Sequence, residues 1–113
     1  MRYVDQYNFK MNRLETVLKL VESQPKDLFL NYAVAMEYLS LSDYDSAIVW
    51  LNKLKNIDPT YLPLYYQLAK AYEAVFNEKL AVSTYEEGIE LALSQKEIKT
   101  ASELRSALEE LTF

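Results

Sequence analysis

Apolar residues recur along most of the chain every three or four positions, the spacing that places side chains on one face of an α-helix. One such face is formed by Val34, Ala35, Tyr38 and Leu41, and a second by Ala47, Ile48, Leu51 and Leu54. The pattern breaks between the two faces at Ser42 and Asp43, and an aspartate there suits the N-cap of the second helix. The stretch therefore predicts two helices joined by a short turn.

This helical hairpin occurs twice, 34 residues apart. The shift superposes Pro25 on Pro59, Leu28 on Leu62, Leu30 on Leu64, Tyr32 on Tyr66, Ala35 on Ala69, Tyr38 on Tyr72 and Ala47 on Ala81. The single glycine and three prolines of the chain also favour helices throughout. We therefore predict one repeat at 28–61 and a second at 62–95.

The flanking segments have helical spacing of their own. Residues 11–24 carry an apolar stripe that ends before Pro25, and residues 96–113 carry a second stripe, formed by Ile98, Ala101, Leu104, Leu108 and Leu111. We interpret the first segment as a half-repeat capping helix and the second as a C-terminal capping helix, because the ends of a short helical array need a cover. The prediction is an all-α solenoid of antiparallel helix pairs with about six helices, in a single domain at 11–113 after an extension at 1–10.

The repeat resembles the tetratricopeptide repeat, a 34-residue helical hairpin with small residues at its eighth and twentieth positions. Counted from Leu28, these positions hold Ala35 and Ala47, while Tyr38 is eleventh and Pro59 thirty-second. The chain is similar to small bacterial proteins with two such repeats. It departs from the family pattern at Asn31, where a large residue is usual, and at Ser42 and Phe76, where glycine is common.

Composition excludes most catalytic chemistry. The 113 residues contain no Cys and no His, which excludes thiolate nucleophiles, imidazole bases, disulfides and nearly all zinc sites. Adjacent carboxylates such as Glu86 and Glu87 point about 100° apart on a helix and cannot flank one bond. A single glycine, Gly88, cannot form a phosphate-binding loop. We therefore expect no catalysis, no cofactor and no metal; an enzyme that uses magnesium is a distant alternative.

The charge of the chain limits its partners and compartment. Twelve basic and seventeen acidic residues give 12 − 17 = −5, so nucleic acid and membrane surfaces are not expected partners. The first ten residues lack the apolar core of a signal peptide, and no apolar run reaches the roughly 20 residues of a membrane span. We therefore expect a cytoplasmic protein.

The resemblance implies a binding site. In the family, the first helices of the repeats line a concave groove that holds a peptide or protein segment. The residues that the resemblance places there are Phe29, Tyr32, Met36, Tyr66, Gln67, Lys70 and Glu73. Tyr32 and Met36 stand where relatives that bind the C-terminal carboxylate of chaperones have Lys and Asn, so such a ligand is not expected.

Two interpretations of function remain open at this point. The first is an adaptor that binds an unknown peptide or protein in the groove, with Lys70 and Glu73 setting the register. The second is a structural unit that associates with itself through its terminal helices, since Ala101, Leu104, Leu108 and Leu111 have the spacing of a coiled-coil seam. A homodimer is possible under the second interpretation. A third possibility leaves no groove, because the capping helices cover it.

Overall fold

The structure is a computed structural model that describes the backbone of residues 3–113 and the side chains from residue 6 onward. This part of the chain forms six α-helices and no strand. The helices are α1 (Tyr3–Ser23), α2 (Leu28–Ser40), α3 (Tyr44–Ile57), α4 (Pro63–Ala74), α5 (Glu78–Ser94) and α6 (Ile98–Thr112). The all-α architecture of paired helices predicted above is therefore confirmed. None of these helices has the length and apolar character needed to cross a membrane.

Helix α1 begins at Tyr3 and not near Met11, where the apolar stripe starts. Residues 3–10 contain neither Pro nor Gly, so nothing in the backbone stops the helix from continuing toward the N-terminus. The Lys10 ammonium also donates to the Ser40 carbonyl at the end of α2, at 3.0 Å. Residues 3–10 are thus an uninterrupted part of α1 and not an extension outside it; residues 1 and 2 lie outside the described residues.

Three tight turns, between α2 and α3, α4 and α5, and α5 and α6, share one backbone conformation. Each contains a residue in the left-handed region: Ser42 (φ 58°), Phe76 (φ 61°) and Lys96 (φ 61°). The first two are the positions where the family commonly has glycine, so the turn keeps its geometry without it. Asp43 and Asn77 then cap α3 and α5 through their side chains, and the cap at Asp43 is the one predicted from the sequence.

Small residues permit close helix contacts within each pair. Ala35, Ala47, Ala69 and Ala81 are all completely buried. Gly88 of α5 lies so close to α4 that an added Cβ would stand 2.8 Å from the Tyr65 Cβ. This glycine is required for space, because two Cβ atoms cannot approach to that distance.

Asn31 makes the same hydrogen bond as Tyr65, the larger residue at the equivalent position of the next repeat. Its side-chain amide donates to the Pro25 carbonyl at 3.0 Å, and the Tyr65 hydroxyl donates to the Pro59 carbonyl at 2.5 Å. Asn31 is completely buried, and its amide also donates to the Asp27 carbonyl. The departure from the family pattern at this position therefore preserves the bond that ties each first helix to the preceding loop.

The stripe of α6 packs within the molecule. Ala101 and Leu104 are buried in a cluster with Ala69 and Tyr85, and Leu108 and Leu111 pack against the edge of the same cluster. In this fold the four residues of the coiled-coil seam considered above are thus occupied by contacts of their own chain. Helix α6 packs on α5, after the second repeat.

Candidate functional site

A groove runs over α4 between α2 and α6. Its larger part, about 590 Å³, is bounded by Tyr32 of α2, by Tyr66 and Gln67 of α4, and by Glu97, Thr100 and Glu103 at α6. Its smaller part, about 370 Å³, continues along α6 and shares Tyr66 and Glu103 with the first. We call the two together the α4 groove. Helix α6 forms one wall of it and does not cover it, since Tyr66 remains 38% exposed.

Aromatic rings form the α2 side of the groove. The Tyr32 and Tyr61 ring centroids are 5.6 Å apart with the rings tilted by 55°. Burial raises the pKa of the Tyr32 hydroxyl, and a hydrogen bond with the Gln67 side chain lowers this pKa by a smaller amount. Tyr32 also packs against the core cluster around Leu51. This wall is therefore anchored in the core, and its hydroxyl stays protonated at neutral pH.

A second set of contacts fixes the C-terminal part of α4. The buried Tyr85 hydroxyl donates to the Glu73 carboxylate, and Lys70 Nζ lies 3.6 Å from the same carboxylate. Burial, followed by this bond to Glu73, raises the pKa of the Tyr85 hydroxyl strongly. The Tyr66 ring meets the Tyr85 ring edge-on, with centroids 6.5 Å apart. Glu73 thus joins α4 to α5, which is a structural task.

The groove is acidic. Asp58, Glu97 and Glu103 border its larger part, and Glu110 joins Glu103 in the smaller. Hydrogen bonds from Thr60 lower the pKa of Asp58, so this carboxylate is ionised at neutral pH. Of the described residues that line the groove, Lys70 is the only cationic one, and it lies beside Glu73. The α4 groove therefore combines tyrosine rings with an excess of negative charge.

The structure brings together some of the predicted site residues and separates others. Tyr32, Tyr66 and Gln67 line the larger part of the groove, and Lys70 lines the smaller part. Glu73 lies behind Lys70, bonded to Tyr85. Phe29 and Met36 line neither part, although Phe29 is 64% exposed.

Sequence reasoning missed the contribution of α6. It considered 96–113 as a cap, as a seam for self-association or as a cover of the groove, and not as one of its walls. In the structure Glu97, Thr100, Glu103 and Glu110 supply one wall and most of the charge of the groove. A signal was present, because one more step of 34 residues from Pro63 and Tyr66 leads to Glu97 and Thr100. Helix α6 thus takes the place of the first helix of a third repeat.

No metal site is evident in the described residues, since three or more acidic side chains do not converge anywhere in them. The carboxylates of the groove lie along its edge and do not form a coordination cluster.

Comparison with known proteins decides the family. The family model for the tetratricopeptide repeat matches residues 30–61 and 62–95. The chain belongs to the tetratricopeptide repeat family. Both matched segments coincide with the repeats found from the 34-residue period, the first starting two residues later than our boundary at Leu28. A search among curated proteins found no significant match.

Solved tetratricopeptide repeat structures share this fold. A domain from Salinibacter ruber, solved by NMR, is 36% identical over 77% of this chain and 88% of its own, with a TM-score of 0.72. A domain of yeast Sti1 in complex with pHsp70 is 19% identical, over 95% of this chain and 86% of its own, with a TM-score of 0.85. PcrH, solved with the chaperone-binding region of PopD, is 17% identical, over 95% and 81%, with a TM-score of 0.85.

Proposed function

We propose that this tetratricopeptide repeat protein is a non-catalytic interaction module whose α4 groove binds a cationic peptide segment of a partner protein. The observation that carries the proposal is the groove itself, a tyrosine-lined depression bordered by Asp58, Glu97 and Glu103. Two structural relatives, the Sti1 domain and PcrH, were solved with protein partners, which supports an interaction function in general terms.

The chemistry of the groove favours Arg or Lys next to large apolar side chains in the ligand. A guanidinium group can stack on a tyrosine ring and bind a carboxylate at the same time, with each contact strengthened by partial removal of water. Tyr66 and Glu103 are the two residues shared by both parts of the groove, so they are the pair we assign to such a side chain. Lys70, which lines the smaller part of the groove, would set the register at the far end.

The same charges argue against an acidic ligand. A peptide that ends in a free carboxylate would place it among Asp58, Glu97 and Glu103, where it is repelled. Tyr32 and Met36 already argue against a C-terminal carboxylate as ligand. The negative charges that α6 adds to the groove are a second argument against it.

The first test uses a random-peptide display library selected on the immobilised full chain. We expect the selected peptides to be enriched in Arg and Lys and depleted in Asp and Glu. Synthetic copies should then bind Glu103→Lys at least about tenfold more weakly than wild type, roughly 1.4 kcal/mol, because one attraction becomes a repulsion. Fluorescence anisotropy of labelled peptides measures this difference.

The matched control is Glu90→Lys, the same charge change at an exposed residue of α5 that lines neither part of the α4 groove. It should bind like wild type. Selection of acidic peptides, equal weakening by the two substitutions, or failure to select any peptide would each count against the proposal. Glu103 is preferred to Tyr32 for this test, because truncating Tyr32 would also remove a ring that packs on the core.

A further inference from the structure

Helix α1 corresponds by the 34-residue period to the second helix of a repeat. One step back from Ala47, Leu51 and Leu54 of α3 leads to Arg13, Val17 and Leu20. The three residues of α3 are completely buried, because α3 lies between α2 and α4. Helix α1 packs mainly on α2, with Trp50 of α3 at the edge of the same apolar cluster. Within residues 3–113 no helix takes the place beside α1 that α2 takes beside α3.

The uncovered face of α1 is partly apolar. Phe9 is 56% exposed and Leu20 is 46% exposed. A shallow depression of about 380 Å³ lies along Phe9, Arg13, Thr16 and Val17 and is bounded on its other side by Glu37 of α2. Large apolar residues are normal as single exposed side chains, but here Phe9 and Leu20 lie on one line of the helix, and Leu54, the equivalent of Leu20, is completely buried. This face of α1 therefore carries exposed apolar residues typical of a helix–helix interface, but within residues 3–113 no helix packs on it.

The spacing along this face is symmetric. Phe9, Arg13, Thr16 and Leu20 are separated by four, three and four residues, so the order apolar, polar, polar, apolar is the same in both directions. A second α1 laid antiparallel, with a two-fold axis between Arg13 and Thr16, would place Phe9 of each copy opposite Leu20 of the other. Arg13 of each copy would lie opposite Thr16. Such self-complementarity is the requirement of a two-fold symmetric dimer.

The charges of α1 also suit contact with its own copy. Lys10, Arg13 and Lys19 balance Asp5, Glu15 and Glu22, so α1 has no net charge although the whole chain carries −5. Arg13 is paired with Glu37 of α2 at 3.0 Å and lies 4.9 Å above the Phe9 ring. A dimer through α1 would thus bring together the neutral N-terminal helices of two copies without burying an unpaired charge.

We propose that the face of α1 formed by Phe9, Arg13, Thr16 and Leu20 is a homodimer interface, in which α1 of a second copy packs antiparallel against it. The inference is independent of the ligand of the α4 groove. A helix of 21 residues is about 31 Å long and 10–12 Å wide, which offers much less than the roughly 800 Å² per partner of a standard interface. We therefore expect a weak, transient dimer, which is populated at high protein concentration.

Sedimentation equilibrium over a concentration series measures this association directly. The full wild-type chain should pass from monomer to dimer, and Leu20→Glu should weaken the dimer at least about tenfold, since it places a carboxylate against Phe9. Leu93→Glu on α5 is the matched control, because Leu93 is also 46% exposed. Circular dichroism verifies that both variants remain helical. A wild type that stays monomeric at several hundred micromolar, or equal effects of the two substitutions, would overturn the proposal.

Cysteine pairing tests the antiparallel register, since the chain has no cysteine of its own. Under mild oxidation, a mixture of Phe9→Cys and Leu20→Cys chains should form the mixed disulfide faster than either chain alone forms its own. In the proposed register the two copies of residue 9 are about 16 Å apart along the helices, too far for a disulfide. A mixture of Phe9→Cys with Leu93→Cys is the control. Preferential self-pairing of Phe9→Cys would show a parallel arrangement and refute the register.

Discussion

Single residues at one repeat position show how different side chains can meet the same requirement. Asn31 and Tyr65 differ in size and chemistry, yet each donates to the carbonyl of the proline six residues before it. The requirement is a buried donor that satisfies this carbonyl where the chain enters the first helix. A family consensus based on residue size misses it, because the amide of Asn31 reaches its acceptor from a shorter side chain.

Gly88 gives a prediction at the residue scale. Alanine in mid-helix is normally favoured over glycine by about 1 kcal/mol, but here its Cβ would meet the Tyr65 Cβ and the Leu104 side chain. Because a Cβ cannot rotate away, α4 and α5 must move apart, and we expect Gly88→Ala to lower the free energy of unfolding by about 1–2 kcal/mol. Urea unfolding followed by circular dichroism measures it. Glu86→Ala, exposed on the same helix, is the control and should change stability by less than about 0.5 kcal/mol; a stabilised Gly88→Ala would refute the close approach.

At the scale of elements, the turn between α4 and α5 stores backbone strain. Phe76 has a φ of 61° and a side chain that is 94% exposed, so it adopts the left-handed conformation without the compensation of packing. We expect Phe76→Gly to raise the free energy of unfolding by about 1 kcal/mol, because glycine enters this region without steric cost.

Phe76→Ala separates the backbone effect from the loss of the ring. Alanine removes the side chain but keeps the Cβ that disfavours the positive φ, so its stability in urea should stay within about 0.5 kcal/mol of wild type. If both substitutions destabilise the protein by the same amount, the ring of Phe76 makes contacts that matter and the strain argument is wrong.

The sequence predicted which helices form more accurately than it predicted where they begin and which helices pack beside the groove. Internal repetition located α2 to α5, because identical side chains 34 residues apart meet identical packing demands. The start of α1 was missed, since polar residues such as Gln6 and Asn8 carry no periodic signal, and the bond from Lys10 to α2 is evident in the structure alone. The groove was predicted in part: Tyr66 follows from the repeat, whereas the wall of α6 depends on how the cap packs in space.

At the scale of the whole molecule, the two ends of the array are built differently. The C-terminal end is closed by α6, whose apolar residues are used in packing and whose acidic residues line the α4 groove. The N-terminal end presents the neutral, partly apolar face of α1. A dimer through α1 would join two chains at the end away from α6, so the acidic wall that α6 gives each groove would stay uncovered.

Buried tyrosine hydroxyls link the stability of the whole molecule to alkaline pH. Burial raises the pKa of Tyr32, Tyr65 and Tyr85 above the ordinary value near 10, and Glu73 adds to the effect at Tyr85. In the unfolded chain these hydroxyls ionise near pH 10, while the folded chain keeps their protons. The folded state then binds more protons, so the stability they contribute is complete below pH 10 and is lost as the pH rises above it.

We therefore expect the free energy of unfolding to fall steadily above about pH 10, with each fully protected hydroxyl contributing a slope of up to roughly 1.4 kcal/mol per pH unit. Tyr85→Phe should make this slope shallower, because one of the three groups no longer titrates. It should also lower the stability at neutral pH by about 1.5–3 kcal/mol, the value of a hydrogen bond to a charged group. Urea unfolding of both proteins between pH 8 and 11 measures slope and offset together. An unchanged slope in Tyr85→Phe would mean that the Tyr85 hydroxyl of the wild type ionises in the folded protein as readily as in the unfolded chain. The hydrogen bond to Glu73 would then not be what holds its proton.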